Sequence, residues 1–234
     1  MKFEESPQPD PVEKERQNET FNIKRLQSKV FEEAEKIEIG TENRDSEGNL
    51  LVFPGGPKSN LKEQDWKIVR TESFKNWFGN WQEKEPCSVI VDENGEPKIL
   101  THRTDNESID LLPARKDFSV TSRFMHFTSK WEGVKPTWRY GKNIHFAFLN
   151  IRKLFNGGAG GMSYYDYPNS EKAGFVHDID DDFLNYLLNK KYDGAYASGT
   201  KRVNYLGPLM YTDECVVLNP ELQVLLVGRQ ADTD

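Results

Sequence analysis

The residues best suited to chemistry stand together at the end of a short predicted strand, Thr101-His102-Arg103-Thr104. An imidazole, a guanidinium and two hydroxyls side by side offer hydrogen bonds to a polar or anionic ligand. A strand end is also a place that such a ligand can reach. Met125-His126-Phe127-Thr128-Ser129 is a second run of this kind and reads as another strand. On residue type alone the same positions have plainer readings. His102 is then an ordinary polar strand-end residue, His126 a half-buried histidine beside Phe124 and Phe127, and Glu214 a surface carboxylate opening a strand. His145 and His177 have no partner at metal-ligand spacing, so both read as structural or exposed, and no metal is expected. The run Asn156-Gly157-Gly158-Ala159-Gly160-Gly161 lacks the Lys-Ser/Thr end of a phosphate loop and opens no obvious helix. It reads as a flexible surface loop.

These groups need a scaffold to hold them. Phe74, Trp77, Phe78 and Trp81 recur at i, i+3, i+4 and i+7, which is one helical face built of aromatics. Core packing against a sheet is the expected use of that face, in preference to a stacking platform for bases. Asn60 followed by Glu63 resembles a capping box opening the preceding helix, which carries Leu61, Trp66 and Val69. Ser88–Val91 and Lys98–Thr101 flank the turn sequence Asp92-Glu93-Asn94-Gly95-Glu96 and predict a hairpin. Further strands are expected at Met125–Ser129, Ile144–Leu149, Gly194–Ala197, Cys215–Leu218 and Leu222–Val227. Residues 179–190 predict a helix, with Asp180, Asp181 and Asp182 at its positive end and Lys190 and Lys191 at the other. Several short strands with few helices argue for an α+β fold rather than a wound parallel sheet.

The chain has 234 residues and a formal net charge of −7. Residues 1–50 hold 8 Lys/Arg against 13 Asp/Glu, a net of −5, so the remainder is nearly balanced at −2. That is not the basic footprint of a general nucleic-acid binder. The two cysteines, Cys87 and Cys215, supply no disulfide framework and no zinc spacing, and buried free thiols are expected. No segment is long and apolar enough to span a bilayer, and the N-terminus lacks the apolar core of a secretory signal. Residues 1–19, with three prolines and many charges, read as a mobile tail. Ile23, Leu26, Val30, Ala34 and Ile37 mark a helix over residues 21–39, able to pack on the main domain or on a partner. Residues 40–58 read as a linker that closes a 20–58 segment, and residues 59–234 as the main domain.

Five segments, in order, resemble one family. They are Leu61-Lys62-Glu63-Gln64-Asp65-Trp66-Lys67-Ile68-Val69-Arg70-Thr71 with Phe74-Lys75-Asn76-Trp77-Phe78-Gly79-Asn80-Trp81, then Val91-Asp92-Glu93-Asn94-Gly95-Glu96-Pro97, Leu149-Asn150-Ile151, Tyr192-Asp193-Gly194, and Glu214-Cys215-Val216-Val217-Leu218-Asn219-Pro220. Together they resemble the ADP-ribosyltransferase domains of phage polyvalent proteins. The match covers about residues 59 to 228. Each motif alone is modest; their order makes the resemblance fairly specific.

The resemblance implies an ADP-ribosyltransferase-like split β-sandwich that binds NAD between its sheets, with the His-Tyr-Glu set of the diphtheria-toxin-like branch. On that reading His102 holds the ribose of the nicotinamide half, and Thr104 is its ribose-side neighbour. The run from His126 through Phe127, Thr128 and Ser129 is the second motif, and Glu214 supplies the carboxylate. His102, His126 and Glu214 would be catalytic, and Arg103 would lie against the cofactor. The implied activity is transfer of ADP-ribose from NAD to a host macromolecule, with Lys201, Arg202 and Tyr205 contacting a protein acceptor. The implied setting is the host bacterial cytoplasm, reached by injection from a virion, with the N-terminal helix as a possible grip on a phage protein. Arg103 stands where the family has glycine, His126 where it has tyrosine, and Thr212 where arginine-directed members have a second glutamate. A transferase-like module without turnover and an NAD glycohydrolase fit the same motifs.

Overall fold

A computed structural model describes residues 11–83, 86–109, 125–132, 141–159, 181–202 and 210–231, with side chains from Ile23 onward and not in every strand. The elements in chain order are α1 (Pro11–Glu35), a 3₁₀ turn (Thr41–Asn43), α2 (Glu63–Ile68), α3 (Glu72–Phe78), β1 (Leu100–Thr104), β2 (Met125–Glu132), β3 (Asn143–Leu149), β4 (Leu154–Ala159), α4 (Asp181–Asn189), β5 (Gly194–Arg202), β6 (Met210–Val217), α5 (Pro220–Gln223) and β7 (Val224–Ala231). The seven strands form one mixed sheet in the order β4-β5-β6-β2-β1-β3-β7. Only the β4–β5 pair is parallel. With its helices the chain is α+β.

The sheet has a thin seam. β1 joins β3 through five register pairs, from Leu100↔Ala147 to Thr104↔Asn143. It joins β2 through one, Thr101↔Thr128. Two side chains reinforce that seam. The Thr101 hydroxyl donates to the Thr128 carbonyl at 3.1 Å, and a His102 ring nitrogen meets the His126 carbonyl at 2.8 Å.

Alternation along the strands divides the core. Phe148 and Leu225 are ladder partners and pack with Val30, Ala34, Ile68, Phe74 and Phe78 of the helices. Their neighbours Leu149 and Val224, also partners, join Leu100, Phe127, Cys215 and Val217 on the other face. α4 covers a third cluster through Leu187, against Ala195, Val216 and Phe155. Phe74 and Phe78 of α3 are core, as their spacing predicts, with Trp77 partly buried beside them; the helix ends at Phe78, and Trp81 is buried from the turn beyond it. Phe74 stacks on Phe78 at 5.0 Å and meets Phe148 edge-on at 5.1 Å, contacts worth about 0.5–1.5 kcal/mol each beyond area burial. Cys215 is buried, which pushes its thiol up to about 12, so it stays protonated and unreactive.

Four expectations are corrected. Residues 40–58 are not a linker. Leu50, Leu51 and Val52 are buried, and bridges Arg44↔Leu50 and Leu51↔Lys58 fold the segment into small hairpins. Its glycines and prolines make turns rather than slack, as at Gly48 and Gly55, both with positive φ. Helix α1 begins at Pro11, inside the segment expected as tail. Its described apolar residues pack on the chain's own α2, α3 and β7. Asn60 caps no helix; its amide donates to Asp92 and Glu93 across the chain, and Lys62 precedes α2 with no side-chain cap. The α3 cap is Thr71, whose hydroxyl accepts the Phe74 N–H, and the Glu33 carboxylate accepts both the N–H and the hydroxyl of Ser73. Finally, Asn156–Ala159 belong to edge strand β4 rather than to a loop.

Ser88–Val91 and Lys98–Thr101 do approach as a hairpin, through one bridge, Val91↔Pro97, with the regular strand starting at Leu100. The turn repeats the geometry at Asp45. The Asp92 carboxylate accepts from the N–H groups of Asn94 and Glu96, as Asp45 does from Glu47 and Asn49. At the other end of β1, Gly141 adopts φ 87° with its backbone against Thr104 and Asp105. A Cβ there would lie 2.0 Å from the Thr104 carbonyl carbon, so a side chain would push the end of β1 away.

Candidate functional site

The predicted site residues fall on three neighbouring strands at the middle of the sheet, β1, β2 and β6. One register line crosses them. Thr101 is opposite Thr128, and Thr128 is opposite Glu214, which is in turn opposite Ala197 on β5. Directly opposed residues of antiparallel strands point to the same face, and neighbours along a strand alternate. His126, two residues before Thr128, is the partner of Val216, whose side chain lies on the α4 side. Hence Thr101, His126, Thr128 and position 214 share one face.

His102 is one position off that line. Its ring lies 5.6 Å from the ring of Phe127, which is fully buried among Leu100, Ala147 and Cys215. The structure therefore brings the three strands together but sets the His102 ring on the Phe127 side of the seam. Since a carbonyl can only accept, the 2.8 Å contact to the His126 oxygen makes Nδ1 of His102 the protonated nitrogen. The neutral ring then keeps its lone pair on Nε2. It can accept a hydrogen bond from a hydroxyl rather than donate one.

Burial holds the His102 ring below the ordinary histidine value of 6.5; the bond to His126 opposes this, and neighbouring His145 adds to it. The unfolded chain binds this proton more readily than the folded one, so His102 lowers stability progressively as pH falls from 6.5 through the folded-state value. NMR titration of the imidazole is expected to show this depression. His102→Asn, whose amide can keep the bond to His126, is expected to flatten that part of the stability–pH curve. An imidazole titrating at or above 6.5 would refute the burial account.

The other candidates are placed as follows. Thr104 closes β1, with its hydroxyl accepting the Asn106 N–H at 3.2 Å. Arg103 is half-buried at the position opposite Ile144. Thr128 is 5% exposed. Ser129 lies in β2. Lys201 and Arg202 lie in β5, opposite Tyr211 and Met210. Tyr205 lies outside the described residues. Among the described residues no group of three or more His, Cys, Asp and Glu side chains is placed to hold a metal. None of the described helices is long and apolar enough to cross a membrane.

One arrangement has no local signal in the sequence. His102, His145 and Arg229 are successive ladder partners across β1, β3 and β7. His145 is 4% exposed, and its Nε2 donates to the Asn106 carbonyl at 3.3 Å. Arg229 donates to the Glu107 carbonyl at 3.2 Å and pairs with the Glu107 carboxylate at 3.4 Å. Beside this row lies an open cleft of about 360 Å³, walled by α1, residues 107–109 and edge strand β7. Only the strand pairing joins these residues, which are spread over more than a hundred positions of sequence.

No protein-family model, curated protein or solved structure matches this chain.

Proposed function

We propose that this chain is an NAD-dependent ADP-ribosyltransferase with a split β-sandwich fold, transferring ADP-ribose to a protein of a bacterial host with release of nicotinamide. The observation that carries the reading is the meeting of β1, β2 and β6 at the seam, bringing the His102, His126 and Glu214 positions onto adjacent strands. The seam itself favours a sheet parting into β4-β5-β6-β2 and β1-β3-β7, with a ligand site where they part.

In the proposed reaction the bond between ribose C1 and the nicotinamide nitrogen breaks. Its electron pair leaves with the ring as neutral nicotinamide, and positive charge develops on the ribose. The Glu214 carboxylate stabilises that charge and orients the acceptor nucleophile, which forms the new bond to C1 and gives up its proton. His102 acts through its Nδ1 hydrogen bond to the His126 carbonyl, which fixes the β2 backbone that carries the His126 ring. The planar His126 ring stacks beside nicotinamide. Arg103, which alternates with His102 along β1 and so shares the face of His126, pairs with the diphosphate, and Thr104 closes the strand beside it. Thr212, in place of a second glutamate, argues against arginine as the acceptor, and the net charge of −7 argues against nucleic acid. Lys201, Arg202 and Tyr205 are the proposed acceptor contacts. The site of action would be the host cytoplasm, after packaging and injection.

A second reading has an observation of its own. The His102 ring is anchored to the His126 backbone and packed against Phe127, off the Glu214 line. A module that binds without turnover fits that placement, with the charged face of α1 toward a virion partner. The two readings separate with NAD labelled in its adenylate half. Nicotinamide release with label in host protein supports the transferase. Release without protein label identifies water as acceptor. Saturable NAD binding with no release supports the binding module, and neither binding nor release by the folded chain would overturn both.

A further inference from the structure

The cleft beside β7 carries chemistry that the proposed transfer does not use. Its wall combines Phe31 of α1 with Leu226 and Val227 of β7, which gives it an apolar side. Its polar side holds Arg229, Ser108 and Gln27. Gln27 spends one amide hydrogen on the Leu226 carbonyl at 2.9 Å, leaving the other for a ligand. The volume of about 360 Å³ is at the small end for ligand pockets and suits a molecule of one ring with one charged group.

The charge of the expected ligand follows from what Arg229 already holds. The Arg229 side chain is 40% exposed and pairs with the Glu107 carboxylate, on a side chain that is 85% exposed. A pair this open is worth little, because water screens it and both side chains lose freedom to make it. A carboxylate held so weakly at the rim of a cleft occupies Arg229 without sealing it. The guanidinium fork presents further N–H donors to an anion arriving from the cleft. Next to Arg229, the buried His145 lines the cleft, its ring held by the Asn106 carbonyl.

We propose that this cleft binds a small organic anion, a phosphate or carboxylate on an apolar ring, with Arg229 as its anchor and Glu107 as a displaceable competitor within the chain. The ring lies against Phe31 and Leu226. Ser108 and Gln27 supply neutral donors to the anion. The site stands independently of the NAD reading, since it uses none of the residues assigned there.

Phenyl phosphate, benzoate and inorganic phosphate are the probes, titrated into the full chain by calorimetry with NMR detection of the His145 ring. Phenyl phosphate is expected to saturate in the millimolar range or below and to bind about tenfold more tightly than inorganic phosphate. Preference for benzoate over phenyl phosphate would mark a carboxylate ligand, and the reverse a phosphate; either supports the anion site. Glu107→Gln removes the competitor and should tighten binding about two- to fivefold. Arg229→Gln should abolish it, with an unchanged thermal midpoint showing that the fold is retained. The proposal is overturned if no probe saturates in either wild type or Glu107→Gln. Binding that survives Arg229→Gln would overturn it equally.

Discussion

Glu96→Ala is expected to destabilise the protein by about 3–5 kcal/mol, the loss typical of a buried ion pair deprived of one partner. Glu96 has no exposed surface, and the Arg70 side chain is 10% exposed. Their closest contact is 3.1 Å, from Arg70 Nη2 to Glu96 Oε1. The other carboxylate oxygen accepts the Ser59 hydroxyl at 2.5 Å. The guanidinium lies 3.5 Å from the Trp66 ring centroid and donates to the carbonyls of Trp66 and Val52. Burial is the dominant influence on both groups. It raises the Glu96 carboxyl and brings Arg70 down to about 10, against the pull of the pair itself. Desolvation therefore outweighs attraction here, and the pair is costly to break rather than strongly stabilising.

Thermal melts should show a fall on the order of 10 °C for Glu96→Ala in a chain of this size. The pH dependence distinguishes the partners. In Arg70→Met the orphaned Glu96 has its folded-state value raised still further, so its penalty applies above that value and is relieved as pH falls through it. In Glu96→Ala the orphan is a guanidinium, which keeps its proton, so acid gives no such relief. Equal losses at neutral and acid pH in Arg70→Met would sink this account. So would a Glu96→Ala protein as stable as wild type.

The largest effect on activity is expected from Glu214→Gln. In the proposed transfer, this change keeps the size of the side chain and removes the charge that faces the developing cation. Nicotinamide release from NAD should then fall by about 10²–10³-fold, the magnitude typical of deleting one preorganised electrostatic contact. NAD affinity should change far less, because the charge matters most in the transition state. Unchanged release would remove Glu214 from the mechanism. Lost binding with retained folding would recast it as a ligand contact rather than a stabiliser of charge.

The strands that carry the candidate site were largely legible, because alternation and flanking turn residues are local signals. Met125–Ser129 and Ile144–Leu149 fall within β2 and β3, and residues 179–190 contain α4. The aromatic spacing announced a buried helical face, and Phe74 and Phe78 are buried on it, although the helix stops before Trp81, which is buried from a turn. What local sequence does not encode is register. Nothing near His102 says that its partner is His145, or that Thr101 rather than His102 stands on the line to Glu214. Composition also misled at residues 40–58. Glycine, proline and aspartate mark turns whether those turns hang free or pack, and here Asp45, Leu50 and Val52 build a packed pair of hairpins. Asn60 fitted a capping pattern but found its partners in a turn more than thirty residues away.

Those packed hairpins bear on how the domain can be inherited. The Leu51 carbonyl accepts the Trp66 indole N–H at 2.7 Å, and the Val52 carbonyl accepts from Arg70, the residue that neutralises Glu96. A recombination point placed at residue 58 would move the aromatic helices and the candidate site into a new protein without the acceptors for a buried indole and guanidinium. The unit that can be shuffled between genes therefore includes residues 41–58, although nothing in that stretch lies in the candidate site.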